Sequence, residues 1–145
     1  MDDKYAIGHE IKIISNLIKR RIGNSRVISD IDKMTGTHGW IIGYLYHNSD
    51  KGDIFQRDLE EEFSIRRSTA TGILQLMEKN DLIIREQVDY DARLKKLVLT
   101  PKAIAIHESL INEFDKIEAE LTSGLTDEEK VSILSTINKM KKNLE

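Results

Sequence analysis

The stretch from Asp53 to Thr100 constrains the fold more than any other: DIFQRDLEEEFSIRRSTATGILQLMEKNDLIIREQVDYDARLKKLVLT. Asp53 stands three residues before Gln56, an aspartate form of the capping box that predicts a helix starting at Ile54 or Phe55. Leu59 and Phe63, four apart, share its buried face, while Gln56, Arg57, Glu60 and Glu61 stay in water. Ser64 and Ile65 break the pattern and form a turn. A second helix is expected from Arg66 or Arg67 to Lys79, with Thr69, Ile73, Leu76 and Met77 inward and Arg67, Ser68, Thr71, Gly72 and Gln75 outward. After Asn80, the β-like runs Leu82-Ile83-Ile84-Arg85 and Leu97-Val98-Leu99 flank Asp89-Tyr90-Asp91-Ala92-Arg93, which predicts a hairpin with a charged tip.

Helix, turn, helix and hairpin in that order make a winged helix-turn-helix. The outward face of the second helix carries the side chains that read DNA: Arg forks onto guanine, Gln onto adenine, and hydroxyls meet bases or phosphates in the major groove. Its first turn adds free N–H groups and a positive dipole end, which suit phosphate. Arg67, Ser68, Thr71 and Gln75 are therefore the candidates for the major groove, with Arg66 on phosphate. Arg93, Lys95 and Lys96 put positive charge on the hairpin, and an arginine there suits an adjacent narrow minor groove.

The arrangement Phe55-Gln56-Arg57-Asp58-Leu59, then Arg67-Ser68-Thr69-Ala70-Thr71, then Asp91-Ala92-Arg93 and Leu97-Val98-Leu99-Thr100 resembles the MarR family of bacterial transcription regulators. The D-x-R followed by L-x-L-T is its most specific part, and helical extensions on both sides carry the match across nearly the whole chain. The resemblance implies a homodimer on a pseudo-palindromic double-stranded DNA operator, usually a repressor released by a small ligand or by oxidation. It also implies that Asp91 holds the wing arginine, Arg93. Three positions depart from the family pattern. Gly72 and Leu76 stand where relatives often carry basic or polar residues. Asp81 replaces a common glycine after the recognition helix, which leaves Asn80 as the expected left-handed residue.

Length and composition agree with that reading. The 145 residues suit one domain, and 39% hydrophobic with 32% charged residues fits a mainly α (α+β) protein with a real core. No apolar run approaches the roughly 18 residues needed to span a bilayer. The N-terminus MDDKYAIGHE lacks the basic start and apolar core of a signal peptide, so a cytoplasmic location without a membrane partner is expected. The absence of cysteine excludes disulfides, a zinc ribbon and a thiol switch. A net charge of −3 is not that of a histone-like coating protein. Binding through the local cluster Arg66, Arg67, Arg93, Lys95 and Lys96 should be strongly salt-dependent and modest on random DNA.

The rest of the chain is helical by pattern. Ile7, Ile11, Ile14, Leu17 or Ile18, and Ile22 recur at helical spacing between Lys4 and Ile22, with Gly23 as a stop. The segment from Gly23 to Gly36 is turn-like, with Val27, Ile28 and Ile31 as anchors. Thr35 or Thr37 caps a helix with Trp40, Ile41, Tyr44 and Leu45, and Asn48 to Gly52 is a turn cluster. Thr100-Pro101 starts a long helix bearing Ile104, Ile106, Leu110, Ile111, Phe114, Ile117 and Leu121. Thr126-Asp127-Glu128-Glu129 is a capping box before a last helix with Val131, Leu134, Ile137 or Met140, and Leu144. The terminal helices carry more apolar surface than the small winged module can cover, and a homodimer would bury it. The expected organisation is thus one domain, 1–145, with 1–34 and 101–145 as dimerisation helices and 35–100 as the winged helix-turn-helix.

Other chemistries are weaker in the sequence. His9, His38, His47 and His107 show no His-x-x-x-His or Glu-x-x-His cluster, so no metal and no cofactor are expected. Tyr5, His9, Trp40, Tyr44 and Phe114 are the candidates for lining a small-molecule effector pocket. No P-loop, dinucleotide fingerprint, nucleophile elbow or metalloprotease motif is present, and the paired glutamates read as exposed helix faces, so an enzyme is not expected. The competing function is a winged helix used as a protein-interaction scaffold without a DNA target.

Overall fold

The computed structural model describes residues 6–25 and 36–145. They fall into two compact units, Met1–Ile111 and Asn112–Glu145. The first unit opens with α1 (Ile7–Gly23) and α2 (Gly36–Asn48), followed by a short 3-10 turn at Ser49–Lys51. Then come α3 (Gln56–Glu62), α4 (Arg67–Lys79), β1 (Ile83–Val88) and β2 (Asp91–Leu99). The long helix α5 (Pro101–Leu121) begins in the first unit and ends in the second, which also contains α6 (Asp127–Leu144).

One core holds the winged module together. Ile41, Ile42 and Leu45 of α2 meet Ile54, Leu59 of α3, Leu74 and Met77 of α4, Leu82, Ile83, Leu97 and Ala103. Every element from α2 to the first turn of α5 contributes to it, so none can shift without opening apolar surface to water. The two strands are antiparallel, pairing Ile83 with Leu99 through Gln87 with Lys95, and the hairpin then closes by pairing Val88 with Asp91. They run longer than their apolar cores suggested, so Asp91 and Arg93 belong to β2 and Asp89-Tyr90 alone form the turn.

The helix ends show how the sequence sets the chain's direction. Helix α3 starts at Gln56 rather than at Ile54 or Phe55, and Asp53 does not cap it: Phe55 is the N-cap, and the Asp58 carboxylate accepts the Phe55 N–H at 2.8 Å. Phenylalanine has no side-chain acceptor, so only that half of a capping box forms. Both helices of the helix-turn-helix end in a Schellman turn. At α3 the Ile65 N–H reaches the Glu60 carbonyl, and at α4 the Leu82 N–H reaches the Met77 carbonyl. The left-handed residues are Ser64 (φ 48°) and Asp81 (φ 58°). Asn80 was the expected one, but it keeps φ −89° because the turn must deliver Leu82 into the core beside Met77.

Helix α1 runs from Ile7, and Gly23 is its last residue; Lys4, Tyr5 and the anchors Val27, Ile28 and Ile31 lie outside the described residues. Thr37 is inside α2 rather than capping it, and Thr35 is likewise outside the described residues. At the start of α5 the Thr100 hydroxyl accepts the Ala103 N–H at 3.2 Å, with Pro101 as the first helical residue. In the second unit, Thr126 and Glu129 form the full reciprocal capping box at 3.1 and 2.8 Å. No helix among the described residues is long and apolar enough to cross a membrane.

Candidate nucleic-acid interface

Helix α4 has the polarity of a reading helix, although its faces are turned from the expected ones. Ala70, Leu74 and Met77 are its buried residues and Ile73 packs beside them. Thr69 and Leu76 therefore face outward, where Arg67, Ser68, Gly72 and Gln75 are also exposed. Thr71 is half-buried, and its hydroxyl accepts a hydrogen bond from the Gln56 side chain at 2.9 Å. The same Gln56 amide reaches the Arg67 carbonyl at 3.4 Å, so α3 holds the first turns of α4. Arg66 is the N-cap residue and Arg67 the first helical residue, both exposed. A Cβ added at Gly72 would meet nothing within 4 Å, so packing does not explain that glycine.

The wing presents one arginine in a fixed pose. Between the Gln87–Lys95 and Val88–Asp91 pairs the ladder shifts, and Ala92, Arg93 and Leu94 bulge from β2 without partners in register. The Gln87 side-chain amide donates to the Ala92 carbonyl at 3.3 Å across the gap. Asp91 accepts the Arg93 backbone N–H at 2.9 Å and takes the guanidinium on both carboxylate oxygens, at 3.1 and 3.0 Å. Those bonds hold the Asp91 carboxyl below its ordinary range and leave the Arg93 side chain 88% exposed. Lys95 is also exposed. Lys96 is half-buried, with its ammonium 3.7 Å from Asp53 and 3.8 Å from Glu86. At the base of the wing, Arg85 donates to Glu78 of α4 at 2.5 Å, a brace that local spacing did not reveal.

The effector candidates are scattered in role. Tyr5 lies outside the described residues, His9 is exposed on α1, and Trp40 is half exposed on α2. Tyr44 belongs to the edge of the core, its ring meeting Phe63 edge-on at 5.9 Å; burial first, then Glu62 and Asp58, raise its hydroxyl pKa. Phe114 is partly buried in the second unit. His38 and His107 are buried, each with one ring nitrogen lacking a hydrogen-bond partner, and burial lowers both pKa values. A crevice of about 350 Å³ lies where β2 meets α2 and α5, lined by Leu45, Ile54, Leu97 and Ile104 with Asp53 and Lys96.

A helix-turn-helix backed by one core, with exposed arginines at the start of its second helix and a braced wing arginine, defines a winged-helix nucleic-acid reader. Residues 32–94 match the sequence model of the MarR family. The chain is 38% identical to the transcription regulator MarR from Oenococcus oeni PSU-1, with a TM-score of 0.82 over 94% of this chain and 98% of that one. It is 26% identical to S. aureus MepR in DNA-binding conformation, with a TM-score of 0.84 over 97% and 100% of the two chains. YybA of Bacillus subtilis (strain 168), an uncharacterized HTH-type transcriptional regulator, is 27% identical over 116 residues, covering 80% of this chain and 75% of YybA. The chain belongs to the MarR family: it is a transcriptional regulator with a DNA-binding winged helix, and not an enzyme.

Proposed function

We propose that two copies of this chain form a homodimer that binds a pseudo-palindromic operator in the cytoplasm and represses transcription until a small molecule relieves it. The observation that carries the DNA part is Arg93, fixed by Asp91 yet almost wholly in water. A cation immobilised before binding loses little side-chain entropy on meeting a phosphate or a minor groove. Arg67, Ser68 and Gln75 would then address bases, and Arg66 and Lys95 phosphates. Thr71 and Lys96 would serve mainly by holding their elements, since Gln56 and Asp53 already engage them. MepR, similar in fold over nearly its whole length, has been seen in a DNA-binding conformation.

The dimer is supported by the terminal helices. Ile7, Ile11, Ile14 and Leu17 of α1 and Val131, Leu134 and Ile137 of α6 are exposed in the single chain. A two-fold partner would cover such faces and set two reading helices roughly 34 Å apart, one turn of the duplex. The lack of cysteine removes thiol oxidation as a release signal, which is why a small molecule is the signal proposed. Selection of bound fragments from genomic DNA, followed by mobility shifts against competitor DNA, tests the reading. Recovered sites should contain inverted half-sites that shift as a dimer complex. A monomer that ignores DNA at low ionic strength would overturn it.

A further inference from the structure

We propose that Asp53 is a positioning residue for DNA binding, fixing the wing to the same short stretch that fixes the reading helix. The proposal rests on the DNA-binding role above. Asp53 is carried on a strap anchored in the core through Ile54. Gly52 before it has φ 143° and ψ 171°, a backbone that side-chain-bearing residues rarely adopt, and Ile54 after it is buried in the core. The Ile54 carbonyl accepts the Leu97 N–H at 2.8 Å, so the strap runs beside β2.

From that strap one carboxylate reaches the hairpin at two places. The Tyr90 hydroxyl, in the turn of the wing, donates to Oδ2 at 3.0 Å, and the Lys96 ammonium lies 3.7 Å from Oδ1. Lys96 also faces Glu86 on β1, so the turn and both strands are referred to Asp53. Three residues further on, Gln56 binds Thr71 and the Arg67 carbonyl of α4. The stretch 53–56 therefore registers the two DNA-facing elements against each other. A two-stranded ribbon twists easily by itself. Pinned at its turn, it carries Arg93 at a set height and angle.

The sign of the effect separates this role from plain electrostatics. Asp53 is an acid beside a cationic surface, so simple Coulomb reasoning says that removing it should tighten DNA binding. The clamp says the opposite. Operator affinity would be measured for the full chain, with Asp53→Ala, Asp53→Asn, Tyr90→Phe and Arg93→Ala singly and combined, alongside thermal melts. Asp53→Ala and Tyr90→Phe should each weaken binding about fivefold, the scale of one hydrogen bond, while the melt falls by no more than a few degrees and the chain stays folded. Asp53→Asn keeps an acceptor for Tyr90 and should bind several-fold tighter than Asp53→Ala, although both lack the charge.

Because the clamp acts through the wing arginine, neither substitution should weaken binding further once Arg93 is alanine. Tyr90→Phe should likewise have no effect in the Asp53→Ala background. The clamp is overturned if Asp53→Ala binds as tightly as the parent, or if Tyr90→Phe keeps its full effect without Asp53, which would make Tyr90 a direct contact. Additivity with Arg93→Ala overturns it as well. A parent protein that binds no DNA would instead remove the proposed function, and the clamp with it.

Discussion

Helices α4 and α6 are both amphipathic, yet among the described residues only α4 buries its apolar stripe. Ala70, Leu74 and Met77 of α4 are buried, whereas α6 buries no residue, leaving Val131 68% and Leu134 64% exposed. The difference assigns the two helices to different kinds of surface. With its apolar stripe satisfied, α4 offers a polar face to something polar and charged. Helix α6 offers apolar area at roughly 25 cal/mol per Å², which only another surface can remove from water.

The contrast can be broken most directly by truncating one leucine in each helix. Leu74→Ala should lower the unfolding free energy by about 2 to 5 kcal/mol, read from urea midpoints, because it opens a cavity in a packed core. At protein concentrations low enough for monomer, Leu134→Ala should cost far less. An equal loss there would mean that α6 is already covered, and the contrast would fail. Next in size, Val131→Asp with Leu134→Asp should weaken self-association by at least about 2 kcal/mol, measured by sedimentation, with helix content retained.

Substitutions on the polar side sharpen the other half of the comparison. Arg67→Ala should cost about 1 to 3 kcal/mol of operator binding without shifting the melt, if the side chain forks onto a guanine. An equal loss on every sequence would assign it to phosphate. Arg93→Ala should cost about 1 kcal/mol and flatten the salt dependence, again with the melt unchanged. A large drop in melting temperature would give that arginine a structural role instead. The smallest effect is a gain: Asp81→Gly should stabilise the chain by up to about 1 kcal/mol, because glycine adopts the left-handed turn without a Cβ clash.

The order of elements was legible in the sequence because local signals carry it: the Thr100-Pro101 and Thr126-Glu129 starts, the Ser64 turn and the long helical stripes. What escaped depends on contacts distant in sequence. Asp53 was the expected cap of α3, but Tyr90, 37 residues away, engages it, and the Phe55 N–H is taken by Asp58 instead. The spacing Thr69, Ile73, Met77 suggested the inner face of α4; Met77 is buried and Ile73 packs beside the core, but Ala70 and Leu74 are buried where Thr69 and Leu76 were expected. Alanine's small side chain gives little hydrophobic signal, and only the packed partner reveals its burial. Asn80 and Asp81 both tolerate the left-handed region, and the landing of Leu82 in the core decides between them. In the candidate site, the exposed arginines could be read from composition. The Gln56–Thr71, Arg85–Glu78 and Asp53–Tyr90 bonds required the fold.

The Thr100 side chain, met above as a helix cap, also donates its proton to the Asp81 carbonyl at 2.6 Å, while Lys102 donates to the Asn80 carbonyl at 2.9 Å. The tail of the reading helix is thereby stitched to the head of the long helix. A swivel of that head would have to drag the tail along or tear both stitches. A disturbance arriving along the long helix therefore has a mechanical route to α4, the helix proposed to face the duplex.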